Sequence, residues 1–280
     1  MGDDDDRMLQ KSEEQPIIGA LRKSGFPFQT AIANLVNTET AWKIRESEYP
    51  WRDLSGADGF LDLIASDGAK LATIECRKTE KEKLIFLRPL GAAQLGETDR
   101  VRCLHVVQVR DALRRLENLC KDFALWPRSF EAEFCVVSTD DSGRKPHLLE
   151  PAARTLIRAT DAFARDEQEK FRPDRDAPPQ QPCLILPIIV TNAPLYVARY
   201  RPADVSLETG IYPARAEDVR VVPWIRFKKA FTSEGGRDLG DRTVFVVRAE
   251  SLKEFLDSIE IPPDRKVEPN SVHLPRRPGR

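Results

Sequence analysis

The chain has few of the residues that would place it in several common protein classes. Its five cysteines are odd in number and scattered. This pattern argues against a disulfide framework or a zinc site and predicts reduced core residues of a cytoplasmic protein. The three histidines show no metal-ligand spacing. No apolar run approaches the ~18 residues of a membrane span, and the acidic start is unlike a signal peptide. We therefore expect no membrane partner.

The chain also has no excess of either positive or negative charge. The chain has 44 basic and 45 acidic residues, which gives a formal net charge of −1. A protein without a global basic field can contact nucleic acid only through a local patch.

The most informative local signal is an Asp-Gly pair between two short runs of alternating apolar and polar residues. Asp67-Gly68 in this setting predicts a tight β-hairpin. If these two residues form the centre of the turn, Ser66 faces Ala69 across the hairpin.

That register brings two acidic residues to one face of the hairpin. Asp62 would face Thr73, and Asp62 and Glu75 would be diagonal neighbours with β-carbons roughly 7–8 Å apart or slightly less. Two carboxylates this close repel each other unless a cation lies between them. Mg²⁺ takes one or two carboxylates together with water and phosphate oxygens, so the pattern predicts a Mg²⁺ (or Mn²⁺) site for phosphodiester chemistry. The alternative is an acidic pair on the solvated face of an ordinary hairpin.

Periodicity and turn signals predict an α/β fold, in which helices flank a mixed central sheet. Helices are expected over Pro16–Lys23, Pro27–Asn37, Val106–Phe123, Leu148–Arg165 and Ser251–Ile259. Besides the hairpin, strands are expected over Trp42–Glu48, Lys81–Arg88, Phe134–Ser138, Leu184–Thr191 and Leu195–Tyr200.

Composition divides the chain into one domain with two tails. Residues 1–15 are predicted to be a disordered acidic tail and residues 261–280 a second disordered tail. Residues 16–260 form a single α/β domain in this interpretation. The charged, proline-rich residues 166–182 are predicted to be a flexible loop within it.

A second candidate surface interleaves aromatic and basic residues. Trp224, Arg226, Lys228 and Lys229 lie in one short segment, where rings could stack on bases and cations could hold phosphates. The alternative is a strand with its aromatic residues buried and its cations solvated.

Four short phrases resemble the restriction-endonuclease-like nucleases, the PD-(D/E)XK superfamily, and in particular its bacterial members. They are Phe26-Pro-Phe-Gln29, Gly59-Phe-Leu-Asp62, Ile74-Glu-Cys-Arg77 and Ile189-Val-Thr-Asn-Ala193. The likeness covers about residues 25–200 and treats residues 80–130 as an insertion. It implies a restriction-endonuclease-like core and Mg²⁺-dependent endonuclease activity on DNA, in bacterial defence or DNA processing. It leaves open whether the chain works as a homodimer.

The resemblance also implies roles for individual residues. Asp62 and Glu75 would be metal ligands, and Arg77 would stand where the family usually has a lysine that orients the attacking water. Gln29 would occupy the position of a helix glutamate that many members have near the metal. Lys78 is adjacent to Arg77 but points to the opposite face of a regular strand. Because arginine does not exchange protons as lysine does, a catalytically degenerate protein that only binds nucleic acid or acts as a scaffold is the alternative.

Overall fold

A computed structural model describes residues 16–21, 24–68, 70–90, 96–110, 115–138, 149–170, 183–232, 238–261 and 271–273. The structure is mixed α/β. A short helical segment covers residues 16–21. Two longer helices are α1 (Phe26–Glu39) and α2 (Leu149–Lys170), and a short one is α3 (Leu252–Asp257). None of the helices in these ranges is long and apolar enough to cross a membrane.

The strands follow in chain order. They are β1 (Lys43–Arg52), β2 (Asp58–Asp67), β3 (Lys70–Arg77), β4 (Lys83–Pro89), β5 (Thr98–Arg110), β6 (Arg115–Ser129), β7 (Glu131–Ala132), β8 (Phe134–Ser138), β9 (Cys183–Thr191), β10 (Leu195–Tyr200), β11 (Val219–Val222), β12 (Trp224–Thr232), β13 (Asp238–Arg248) and β14 (Ser271–His273).

The strands form a large mixed sheet and a small one. The large sheet runs in the order β1-β2-β3-β9-β13-β12-β7, and β5, β6 and β14 extend it from β9. The small sheet has the order β11-β10-β4-β8. Strand β9 is parallel to β3 on one edge. Its other edge pairs with β5 near the start of β9 and with β13 near the end.

Helices cover both faces of the large sheet because its strands alternate apolar side chains between two cores. One core joins the sheet to α2 and to the small sheet, through residues such as Ile64, Leu71 and Ile185. The other joins it to α1 and α3, through residues such as Leu63 and Ala72. The predicted mixed sheet with flanking helices is confirmed at this level.

The β-hairpin is confirmed, but its register differs from the predicted one by two positions. Asp67 pairs with Lys70, and Leu63 pairs with Ile74. The turn therefore lies between Asp67 and Lys70, and Gly68 within it adopts φ +56, a conformation that suits glycine in a tight turn. A shift of two residues keeps every side chain on its predicted face.

The helix predicted over Val106–Phe123 is wrong. Strands β5 and β6 occupy this segment as an antiparallel pair. Apolar residues fall at helical spacing there, but β5 is rich in valine, a β-branched residue that favours strands. Strand β5 also pairs with β9, so β5 and β6 extend the large sheet, whereas β4 lies in the small one.

Two predicted irregular segments are in part ordered. Helix α2 continues to Lys170, so residues 166–170 are helical and residues 171–182 lie outside the described part. In the predicted C-terminal tail, Ser271–His273 pairs with β6. The N-terminal tail, residues 1–15, lies outside the described residues.

A buried ionic cluster connects α2 with β5 and β13. Asp161 accepts a hydrogen bond from Arg242 Nη2 at 2.8 Å and lies 2.6 Å from His105 Nε2. Burial alone would raise the pKa of Asp161, but Arg242 and His105 hold that pKa below its ordinary value. The carboxylate thus compensates cationic and polar groups that are themselves removed from water.

Removing this carboxylate should be costly. We expect Asp161→Ala to lower the free energy of unfolding by about 3–5 kcal/mol, because it leaves a buried charge uncompensated. Glu169→Ala, at an exposed position of the same helix, should change it by less than about 0.5 kcal/mol. Urea unfolding of both variants measures the difference, and equal losses would contradict the assignment.

Candidate active site

The two predicted acidic residues meet where β3 approaches the end of its pairing with β2. Asp62 lies one residue beyond Leu63, the last paired position of β2. Its Oδ2 atom accepts a hydrogen bond from the backbone N–H of Cys76 at 2.6 Å. This bond brings the Asp62 carboxylate beside Glu75, so the convergence predicted from a different register is observed.

Helix α1 and strand β1 add two polar groups to the same place. The Nε2 atom of Gln29 donates to Glu48 Oε1 at 2.6 Å and to the backbone oxygen of Asp62 at 2.9 Å. Glu48 has φ +54, an uncommon conformation for a residue other than glycine. Gln29 therefore contacts both Glu48 and the Asp62 backbone as a hydrogen-bond donor.

Glu48 is a residue that the sequence interpretation missed. It lies in a predicted strand among other polar residues, and neither its spacing nor its neighbours distinguish it. Only the positive φ and the contact with Gln29 reveal its place, and both are properties of the folded chain.

Burial and neighbouring carboxylates raise the pKa of both acidic residues. Burial, the neighbouring Asp62 charge and, more weakly, Glu48 raise the pKa of Glu75 to about 7, against an opposing effect of Arg77. The pKa of Asp62 is also raised, mainly by burial, although the hydrogen bond from Cys76 lowers it. Shifts of this kind mark a place where negative charge is concentrated without full compensation.

The two basic residues after Glu75 go to different places. Arg77 Nη2 forms an ion pair with Glu75 Oε1 at 2.9 Å, and the Arg77 side chain is 48% exposed whereas that of Glu75 is 14% exposed. Lys78 Nζ instead donates to the backbone oxygen of Ser24 at 3.2 Å, ahead of α1. Arg77 is thus held at the acidic pair by its ion pair with Glu75.

A side-chain bridge holds the end of β3 to the end of β9. Asn192 Oδ1 accepts from the backbone N–H of Thr79 at 2.7 Å, and Asn192 Nδ2 donates to the Thr79 backbone oxygen at 2.8 Å. The site thus lies at the carboxyl ends of two parallel strands, the usual place for ligands in sheets of this kind.

The carboxylate oxygens of the site suit a hard cation, although only two carboxylates are available to bind it. No three His, Cys, Asp or Glu side chains within the described ranges are arranged to hold a metal ion. Mg²⁺ nevertheless needs only one or two carboxylates, because water and phosphate oxygens complete its shell. Asp62 and Glu75 supply two carboxylates whose pKa values are raised first by burial and then by neighbouring carboxylates. The residues therefore fit the ion.

The burial of Arg226 contradicts its place in the predicted aromatic and basic surface. Arg226 is fully buried, and its guanidinium donates to Ser129 Oγ and to the backbone oxygens of Leu125 and Pro127. A group sealed in this way cannot reach a phosphate. Arg226 instead points inward, where Ser129 Oγ and two backbone oxygens accept from its Nη atoms.

The other members of that surface are engaged as well. Trp224 packs against Phe255 with ring centroids 5.7 Å apart. Lys228 pairs with Glu133 and Asp241, and Lys229 donates to the Glu133 backbone oxygen and lies 3.6 Å from Glu150. These contacts account for the cations within the protein itself.

Comparisons with known proteins add no family. No family model, no curated protein and no solved structure matches the chain. The geometry of the described residues therefore carries the functional argument.

The raised pKa of Glu75 predicts that removing its carboxylate stabilises the fold, by an amount that depends on pH. The folded chain retains a proton on Glu75 up to about pH 7, whereas the unfolded chain releases it near 4.5, so stability falls as pH rises through this window. Glu75→Gln should have little effect below pH 4.5 and should raise the free energy of unfolding by up to about 3 kcal/mol above pH 7.

Urea unfolding of the wild type and the variant at both ends of the window, without divalent ions, measures the difference. Glu46→Gln, on the exposed side of β1, is the matched control and should behave alike at both pH values. A Glu75→Gln effect that does not change with pH would contradict the assignment.

Proposed function

We propose that this chain is a Mg²⁺- or Mn²⁺-dependent nuclease that hydrolyses phosphodiester bonds of DNA. One observation carries the proposal. Asp62 and Glu75, from neighbouring strands, are held together in a half-buried position, where burial and, after it, repulsion from the Asp62 carboxylate raise the pKa of Glu75 to about 7. A divalent cation between them would relieve that repulsion.

In this proposal each residue of the site has a separate role. Asp62 and Glu75 would hold the ion, which when bound lowers the pKa of a water molecule and stabilises charge on the phosphate. Arg77 carries a permanent charge on a planar fork and would bind a non-bridging phosphate oxygen. Gln29 holds the Asp62 backbone and Glu48 in place through its two hydrogen bonds.

The order of elements supports a restriction-endonuclease-like core. Helix α1 precedes the meander β1-β2-β3, and α2 then leads to β9, which lies parallel to β3. The preference for DNA over RNA rests on the resemblance of the four sequence phrases, as do the homodimer and the role in defence or DNA processing.

A second candidate function has an observation of its own. The Arg77–Glu75 ion pair already supplies a cation to the carboxylates from within the chain. A degenerate relative that binds nucleic acid or acts as a scaffold, without catalysis, would be organised in this way.

Loss of the central carboxylate tests the nuclease. Glu75→Ala should reduce Mg²⁺-dependent cleavage of supercoiled plasmid by about 10²-fold or more, since it removes a group that holds the catalytic ion. Glu46→Gln should cleave like the wild type. Circular dichroism shows whether both variants are folded, and equal cleavage by folded Glu75→Ala would end the proposal.

Metal binding separates the two candidate functions. A nuclease should bind Mg²⁺ or Mn²⁺ in isothermal titration, and Mg²⁺ at about 100 times its Kd should add about 2.7 kcal/mol to the free energy of unfolding. Asp62→Asn should abolish both effects. Absence of binding by the wild type would favour the degenerate protein.

Arg77 offers an independent test of mechanism. Arg77→Gln should lower the cleavage rate by about 10²-fold, because a charge on the phosphate is lost. Arg77→Lys keeps the charge and should retain more activity than Arg77→Gln. Equal rates for the two variants would exclude an electrostatic role for this residue.

A further inference from the structure

The small sheet has an outer face that is apolar across all four of its strands. Its inner face belongs to the core shared with α2 and the large sheet, through buried side chains such as Leu84, Phe86 and Val197. Successive side chains of a strand point to opposite faces, so the residues between these positions point outward. The pairing registers of the four strands then place the outward residues in rows.

Two complete rows cross the sheet, and each consists only of aliphatic or aromatic side chains. In the strand order β11, β10, β4 and β8, one row is Val221, Tyr196, Ile85 and Val136, and the next is Val219, Ala198, Leu87 and Phe134. The outer face of these rows therefore carries no charged side chain.

The two edge strands of this face are open to solvent. Val221 is 60% exposed, Val136 47%, Val219 37% and Phe134 57%. Lys229 Nζ lies 5.7 Å from the Phe134 ring centroid and still leaves more than half of that side chain uncovered. Single apolar residues on a surface need no explanation, but a contiguous group of them marks an interaction site.

The dimensions of the face limit what it can bind. Four strands about 4.8 Å apart and two rows of about 6.6 Å each cover roughly 19 Å by 13 Å. With its side chains standing on it, such a face exposes on the order of 400 Å² of apolar surface, within the range of the largest patch on a typical monomer.

We propose that this face binds the same face of a second copy of the chain. A two-fold axis parallel to the strands, between β10 and β4, would lay β11 of one copy over β8 of the other and β10 over β4. Sheets pack face to face in this aligned way about 10 Å apart.

The sizes of the side chains suit a two-fold contact. In one row Phe134 would face Val219 and Leu87 would face Ala198, so each larger side chain meets a smaller one. Facing layers interdigitate best when large and small residues alternate in this way. An isologous contact makes each pairing twice, once from each copy.

The small area makes the dimer reversible. Two copies would bury on the order of 800 Å² in total, which is below the size of a standard stable interface. We therefore expect a Kd on the order of 10–100 µM, without any contribution from the candidate active site. The inference does not rest on the nuclease proposal.

Sedimentation equilibrium of the full chain without divalent ions tests the contact. The average mass should rise from that of one chain towards that of two as the concentration increases from about 5 to 300 µM. Val136→Lys and Val221→Glu should each weaken the dimer about tenfold or more, because each places an unpaired charge in an apolar contact. Leu207→Lys, at a fully exposed position outside the face, is the matched control and should associate as the wild type does.

Mixing the two disruptive variants tests the two-fold arrangement itself. Position 136 of one copy faces position 221 of the other, so an equimolar mixture of Val136→Lys and Val221→Glu brings opposite charges together at one contact and keeps two valines at the other. The mixture should therefore associate at least tenfold more tightly than either variant alone.

Three outcomes would overturn the proposal. They are a wild type that keeps the mass of one chain up to about 300 µM, an association that the folded face variants do not weaken, and a mixture that associates no better than its components. Circular dichroism shows whether the variants are folded. Asp62→Asn should associate like the wild type, so failure of the nuclease and failure of this contact are distinguishable.

Discussion

The structure depends on a single strand, β9, which is buried on both faces and hydrogen-bonded to other strands along both edges. Every residue of β9 after Cys183 is buried. One edge is committed to β3 along its length, and the other is divided between β5 and β13. Pro187 lies in the gap between these two ladders, where a residue without an N–H group costs no pairing. This arrangement also positions the candidate site, because β9 aligns β3, the strand that carries Glu75 and Arg77.

The candidate site concentrates negative charge at the expense of stability. A well-compensated carboxylate lowers its pKa on folding, as Asp161 does beside Arg242. Glu75 shows the reverse, although Arg77 is in contact with it. The same chain therefore contains one acidic group that stabilises the fold and another that opposes it. Groups of the second kind are typical of functional sites, where the rest of the fold holds an energetically unfavourable arrangement in place.

Local patterns predicted the elements that fold by local rules. The Asp-Gly turn, the continuous apolar run of β9 and the amphipathic stretch of α2 were each readable from the sequence. The helix predicted at β5 and β6 failed because pairing with β9, a contact remote in sequence, overrides helical spacing. The hairpin register failed by two positions because either placement of the turn keeps the same faces.

Within the candidate site, Asp62, Glu75 and Gln29 could be predicted, because residue spacing or a short sequence motif points to each of them. Glu48 and the burial of Arg226 were not predictable, since both depend on which distant groups lie opposite them in the folded chain. The apolar rows of the small sheet have the same origin, because only the parallel pairing of β4 with β10 makes their central residues neighbours.

The bridge between Thr79 and Asn192 has a consequence for how the chain matures. These residues are 113 positions apart. At about 5–20 residues per second, a ribosome needs on the order of 10 s to make the intervening segment. Gln29, Glu48, Asp62, Glu75 and Arg77 all emerge before that interval begins, yet their supporting strand arrives only at its end. A newly made chain would therefore hold every chemical group of the candidate site well before it could align them, and the site would be complete only after β9 joins β3.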